Sequence, residues 1–307
     1  MRLCAVSVDL DEIPNYFGIH GLPEPAGPAK TLVYDVALDR LSSLASELSI
    51  PLTLFAIGSD LSREGAASRL QAACDRGFEV ANHTLDHRYD LVRLGPVEMQ
   101  RQVTEGARAI ERATGAAPVG FRAPGYTVTD ELLAVVSQAG ALYDSSVFPC
   151  PAYFAAKTAK IAAIALLGRE SRSIVDTPRV LAAPTRPYRI GRPYWQRGRG
   201  LLELPIQVTR GLRLPFFGTS LTLAGEGIAR RLTRACIGEP LINLELHGID
   251  VLDEHDGLEA LAKHQPDVRV AHDTKAARLR AVVEELARAG YAFVTLRAAA
   301  QAFEDVA

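Results

Sequence analysis

The chain has 307 residues, 48% of them hydrophobic and 23% charged, and a formal net charge of −2. That length allows one large α/β domain or two modest ones, and the near-neutral balance gives no reason to expect a nucleic-acid partner. No run of 18 apolar residues could span a membrane and no signal peptide is read. Cys4, Cys74, Cys150 and Cys236 stand singly, as reduced thiols of a cytoplasmic protein would.

In chain order, residues 3–9 read as an apolar strand, followed by a Gly/Pro-rich loop from Pro14 to Pro28. Leu38, Leu41, Leu44, Ala45 and Leu48 recur at helical spacing, predicting a helix over about 30–49 that Pro51 ends. Residues 52–57 form a second strand, then a helix capped by Ser59 or Ser62 runs to about Arg76, with Gly77 as its stop. Phe78 to Ala81 is a third strand. A long helix over about 96–114 closes at Gly115, and Val119 to Arg122 is a short strand. A helix over 130–139 and a strand over 141–143 follow, with Asp144 read as a turn residue. Beyond residue 200, strands are read at 202–206, 241–246 and 291–296, with a helix over about 274–289. Strands alternating with helices imply βαβ units and a parallel sheet, so one barrel-like α/β domain is expected. Residues 150–200 interrupt it. They hold an apolar helix candidate, Lys157 to Leu167, and eight arginines (169, 172, 179, 186, 189, 192, 197 and 199) against only Glu170 and Asp176.

The chemistry centres on His83-Thr84-Leu85-Asp86-His87. Histidines at i and i+4 lie on one face of a helical turn, so both rings can reach one cation. In the strand Val6-Ser7-Val8-Asp9-Leu10-Asp11, period-2 alternation turns Asp9 and Asp11 to the same side. One carboxylate can bind the metal while the other moves protons. Two histidines and a carboxylate leave a position open for water, as in catalytic zinc sites. The ion lowers the water's pKa and polarises a carbonyl. A free carboxylate needs orienting, and Arg122 in Gly120-Phe121-Arg122-Ala123-Pro124-Gly125-Tyr126 offers the fork. His247, ending the strand Ile242 to Leu246, suits a general acid. Asp9, Asp11, His83, His87 and Arg122 all fall at C-terminal strand ends, where parallel barrels build active sites. His255, His264 and His272 lie in a polar stretch and read as solvated.

The order of these motifs resembles the polysaccharide deacetylase superfamily, carbohydrate esterase family 4, and the resemblance runs from about residue 3 to 296. It implies a distorted (β/α)7-type barrel over one catalytic domain, residues 1–307, including the 150–200 insert as a lid or substrate-binding region. It implies metal-dependent removal of N- or O-acetyl groups and assigns Asp9 as base and Asp11, His83 and His87 as metal ligands. It gives Arg122 the task of positioning the base, the backbone N–H near Tyr126 a share in the oxyanion site, and His247 the acid role. The ion is expected to be zinc, with cobalt, manganese, nickel or iron as alternatives. The family's fourth motif has no match, leaving Glu203 and Asp176 as candidates for tuning His247. Trp195 is a candidate for lining a sugar pocket.

The expected substrate is an N-acetyl or N-formyl amino sugar, lipid-phosphate- or nucleotide-linked. Residues 157–200 would supply arginines for a phosphate and an apolar helix for peripheral contact with the inner membrane face. The formyl option resembles the lipid-linked formamido-arabinose deformylases of the family. Rival readings are a C–N hydrolase of a cyclic amide or ureide on the same barrel, and a non-catalytic sugar-binding module.

Overall fold

The computed structural model describes residues 2–306. Its centre is a sheet of nine strands: β1 (Leu3–Asp9), β2 (Leu52–Ala56), β3 (Glu79–Asn82), β4 (Gly120–Phe121), β5 (Tyr143–Asp144), β6 (Tyr188–Ile190), β7 (Arg197–Glu203), β8 (Leu241–His247) and β9 (Ala292–Phe293). The strand order is β6-β7-β5-β4-β3-β2-β1-β8, with β9 also on β1, and every pairing except β6 with β7 is parallel. The expected barrel-type α/β fold is therefore present as a curled, mostly parallel sheet. Beyond β7 the chain reaches β8 through Gln207 N–H to Asn243 O (3.1 Å), and Phe217 makes a parallel bridge to Glu245. β1 is buried along its whole length, as a continuous apolar strand covered on both faces must be.

Helices cover the sheet: α1 (Ile13–Ile19), α2 (Leu38–Leu48), α3 (Ala66–Asp75), α4 (Pro96–Thr114), α5 (Asp130–Gln138) and α6 (Pro151–Leu166), followed by others that include 272–288. α4 ends at Gly115, whose φ of 72° supplies the left-handed cap that glycine adopts without steric cost. Gly106 of α4 matters more to the site. A Cβ there would sit 2.7 Å from Thr84 C and Asn82 Oδ1, so only glycine lets α4 lie against the loop that carries the histidine pair.

Several expectations are corrected. The stretch from Pro14 to Pro28 opens with helix α1, because Pro14 sits in the first turn, where its missing N–H costs nothing; residues 20–26 are irregular, as expected. The helix over 30–49 is divided, with a 3-10 turn at Gly27–Thr31 and a π-turn at Val33–Ala37 before α2. Glu12 accounts for its buried start: its carboxylate accepts from the N–H groups of Val33 (3.0 Å) and Tyr34 (3.2 Å). Neither Ser59 nor Ser62 caps α3; both belong to a separate 3-10 turn, and α3 starts after Gly65. The last strand shortens to Ala292–Phe293, since Thr295 caps a helix beginning at Leu296. Asp144 lies in β5, not in a turn. The 150–200 stretch is largely ordered into α6, a 3-10 turn, and the antiparallel pair β6–β7, which brings Arg197 and Arg199 into the sheet's edge. Its strand is Arg197–Glu203, where 202–206 had been expected. Among the described residues no helix is long and apolar enough to cross a membrane.

Candidate active site

Asp9 and His247 are register partners at the ends of β1 and β8. His83 follows β3, and Arg122 follows its neighbour β4. Four elements thus deliver their side chains to one rim of the sheet.

Asp11, His83 and His87 converge. Nε2 of His83 lies 3.1 Å from Nε2 of His87, and Asp11 Oδ1 lies 3.2 Å from each. A tetrahedral ion with bonds of about 2.0–2.1 Å holds its ligand atoms roughly 3.3 Å apart, so this triangle fits one face of such a shell. Asp11 Oδ1 is buried and has no hydrogen-bond partner, as expected of an atom reserved for a cation. The far ring nitrogens are engaged: His83 Nδ1 with Arg122 O (2.8 Å) and His87 Nδ1 with Asn15 Oδ1 (3.3 Å). Those contacts turn both Nε2 atoms toward the common centre. Burial disfavours charge on Asp11, but the two imidazoles overcome it and hold its carboxyl well below the usual range.

The helical turn expected for 83–87 is absent. Thr84 and His87 have positive φ (71° and 49°), and the segment is a loop fastened by Asn82 Oδ1 accepting from Thr84 N–H (3.0 Å) and Thr84 Oγ1 accepting from His87 N–H (3.1 Å). Two non-glycine residues in the left-handed region carry strain of order 1–3 kcal/mol each, retained because the surroundings over-determine them.

Asp9 stands between the triangle and His247, its Oδ2 3.7 Å from His83 Nε2 and 4.0 Å from His247 Nε2. Its Oδ1 accepts from Arg122 Nη1 at 2.5 Å. Arg122 is 0% exposed and donates further to Ser7 Oγ (2.9 Å), Ser145 Oγ (2.9 Å) and Ser145 O (2.8 Å), with its guanidinium 4.0 Å from the Phe55 ring centre.

His247 is governed by Glu245, which the sequence reading did not single out. Glu245 Oε1 is 2.9 Å from His247 Nδ1, while Asp250 Oδ2 accepts from the His247 backbone N–H (2.8 Å). Burial works against a charged imidazole, but Glu245, then Asp9 and Asp11, outweigh it and raise the His247 pKa well above the ordinary histidine value. The signal was available: Glu245 and His247 are i and i+2 on one strand and so share a face. The two earlier candidates are occupied elsewhere. Glu203 accepts from Val147 N–H (3.1 Å), and Asp176 accepts from the Tyr194 hydroxyl (2.9 Å).

The hydroxyl of Tyr126 lies 3.2 Å from His247 Nε2, but its backbone N–H donates to Ala123 O (3.0 Å), so that N–H is not free for an oxyanion. Trp195 does not line the cleft above the triangle; it lines a second cavity with Asp130, Asp176 and Tyr194. The cleft above the triangle, about 450 Å³, is lined instead by Tyr16, His20, Tyr89, Tyr153 and Phe217 among others. None of the eight insert arginines lines it. Arg186 pairs with Glu239 (2.7 Å) and Arg179 lies 5.5 Å from the Trp195 ring centre.

The sequence profile of the family described as polysaccharide deacetylase matches residues 33–143, a stretch that holds His83, His87, Arg122 and Tyr126. A peptidoglycan deacetylase of Helicobacter pylori is 26% identical over 136 residues, 43% of this chain and 45% of that one. A peptidoglycan deacetylase-like protein of Gibberella zeae is 36% identical over 76 residues, 25% of this chain and 22% of that one. The chain thus matches less than half the length of either curated relative. A solved structure from Mycobacterium smegmatis, described as a polysaccharide deacetylase, superposes with a TM-score of 0.63 at 18% identity, covering 100% of this chain and 92% of that one. A CE4 family pseudoenzyme from Bacillus anthracis reaches 0.50 at 12% identity, covering 95% of this chain and 63% of that one. That a pseudoenzyme shares the architecture means activity must be argued from side chains. Residues 33–143 thus match the polysaccharide deacetylase profile, and the fold of the whole chain is similar to that of the Mycobacterium smegmatis structure.

Proposed function

We propose that the protein is a metal-dependent hydrolase that removes an N-acyl group, acetyl or formyl, from an amino sugar carried on a lipid phosphate or a nucleotide. The observation that carries this reading is the position of Asp9, within 4 Å of both the metal-type triangle and His247 while fastened to Arg122. Asp11, His83 and His87 would hold the ion, with zinc the expected occupant of a two-histidine, one-carboxylate set. An ion there supplies Lewis acidity, polarising the amide carbonyl and making water a better nucleophile at neutral pH.

The protein's own groups do the rest. Asp9 Oδ2 takes a proton from the attacking water, and Arg122 keeps that carboxylate aimed. As the C–N bond breaks, His247 Nε2 gives a proton to the leaving nitrogen, yielding a carboxylic acid and a free amine. Glu245 stabilises the imidazolium needed for that donation. The Tyr126 hydroxyl, now at His247 Nε2, must yield its place to the substrate nitrogen and is well placed to contact the sugar. The exposed Leu166 and Leu167 at the end of α6 would rest against a membrane carrying a lipid-linked substrate.

The test is release of acetate or formate from N-acetyl and N-formyl amino sugars, free, nucleotide-linked and prenyl-phosphate-linked, with metal content read alongside. Wild-type protein should hold about one divalent ion per chain and release acid, and His83→Ala/His87→Ala should do neither. A wild-type protein that binds no ion after incubation with zinc or cobalt, and releases no acid, would refute the reading.

Glu245→Gln gives a sharper check on the acid. His247 works protonated, so activity falls as pH rises through its pKa. Removing the neighbouring negative charge lowers that pKa, and the alkaline limb of kcat/KM should move to lower pH by about 1–3 units. An unmoved limb would assign it to another group.

A further inference from the structure

The arginines expected to meet a phosphate turn elsewhere, and the cations that do face the cleft are lysines. Lys157 and Lys160, one turn apart on α6, both line it. Lys157 Nζ donates to Gly125 O (2.8 Å), beside Tyr126, and Lys160 Nζ donates to His264 O (3.3 Å). Among the described residues neither lysine forms an ion pair. The carboxylates that line the same cleft are already matched: Asp9 with Arg122, Asp11 with the two imidazoles, and Asp267 with Lys275 at 3.8 Å.

Two further polar atoms, on α1 and its cap, lack partners. Tyr16 and His20 are i and i+4 along α1 and its cap, 6% and 8% exposed, and both line the cleft. The Tyr16 hydroxyl and His20 Nδ1 have no hydrogen-bond partner. A buried polar atom left unpaired costs about 1–3 kcal/mol, so such atoms in a cleft are the ones a ligand satisfies.

We propose that α1 and α6 form a sugar-phosphate subsite, in which Lys157, backed by Lys160, holds a phosphate on the substrate while Tyr16 and His20 bond its sugar hydroxyls. This rests on the amino-sugar hydrolase reading and adds the residues that would select a charged substrate over a neutral polymer. Lys157 keeps two N–H donors after bonding Gly125 O, and an ammonium in this largely enclosed position, in no ion pair, gains most from an incoming dianion. Burial lowers its pKa to about 8, with Asp176 opposing, so the side chain remains mostly charged at neutral pH. Burial likewise brings His20 down to about 4, leaving a neutral ring whose Nε2–H faces Gln265 Oε1 (3.3 Å) and whose Nδ1 can accept from a hydroxyl.

Isothermal titration of the metal-loaded protein with glucose and with its 1-phosphate is the test, because neither carries an amide to cleave and the heat reads binding without turnover. The wild type should bind the 1-phosphate at least about tenfold more tightly than the neutral sugar, with a margin that shrinks as salt rises. Lys157→Met should bring the 1-phosphate down to the level of the neutral sugar, and Lys157→Arg should restore most of the margin. Phosphate held at the metal triad is common to all three proteins, so the difference reports the lysine. Tighter binding of the UDP-linked sugar would identify a nucleotide carrier, and tighter binding of a farnesyl-phosphate-linked sugar a lipid carrier; each supports the shared subsite. Equal binding of neutral sugar and 1-phosphate, or a preference that survives Lys157→Met, overturns it. A phosphate preference without acyl release would sink the hydrolase and leave the subsite; acyl release without the preference would do the reverse.

Discussion

Asp9→Asn is expected to lower kcat by about 10²–10⁴-fold while metal content stays at the wild-type level. The substitution is nearly isosteric, and the amide oxygen can still accept from Arg122 Nη1, which now meets Asp9 Oδ1 at 2.5 Å. What is lost is the proton acceptor. The metal triangle draws on Asp11, His83 and His87, so its donor set is untouched. Measuring kcat and bound metal on the same preparation separates a failed base from a failed site. Near-wild-type turnover in this variant would remove Asp9 from the mechanism, and a parallel loss of metal would make it a ligand.

Arg122→Met should destabilise the fold by about 3–5 kcal/mol, read from urea denaturation, and also abolish detectable turnover. The methionine can fill much of the space against Phe55 but leaves Asp9, 1% exposed, as a buried carboxylate without its cation. It also strips hydrogen bonds from Ser7, Ser145 and the Ser145 carbonyl. The cost resides mainly in the abandoned charge, so Asp9→Asn combined with Arg122→Met should lose clearly less stability than the two single losses added together. Strict additivity would mean that the arginine acts through packing alone.

The sequence was most informative where the physics is local. Asp9 was legible at the end of β1, but Asp11 lies beyond that strand, where period-2 alternation no longer reaches it; β8 carried His247 to the same rim at its end. It also carried Glu245, but an acidic residue inside an apolar strand reads as an interruption until its neighbour's need for a counter-charge is considered. The histidine pair was found by a helical argument that the chain does not obey: a loop with two left-handed residues brings the rings together instead, and spacing alone cannot tell the two apart. Tyr16 and His20 were hidden inside a Gly/Pro-rich stretch, where Pro14 opens a helix that composition argued against. The insert arginines were misjudged because charge density says nothing about direction; the β6–β7 pair carries several away from the cleft, while two less conspicuous lysines face it.

The donors of the metal-type triangle are far apart along the chain, Asp11 just beyond β1 and the histidines beyond β3, and the parallel pairing of β1, β2 and β3 brings them together. An unfolded chain offers no such triad, so an ion held there would favour the folded state, linking its uptake to folding. At a free ion concentration about 100 times the dissociation constant, that linkage adds about 2.7 kcal/mol to the native state. Ion scarcity would then act on the protein twice, silencing the chemistry and raising the fraction of molecules that unfold and meet a protease.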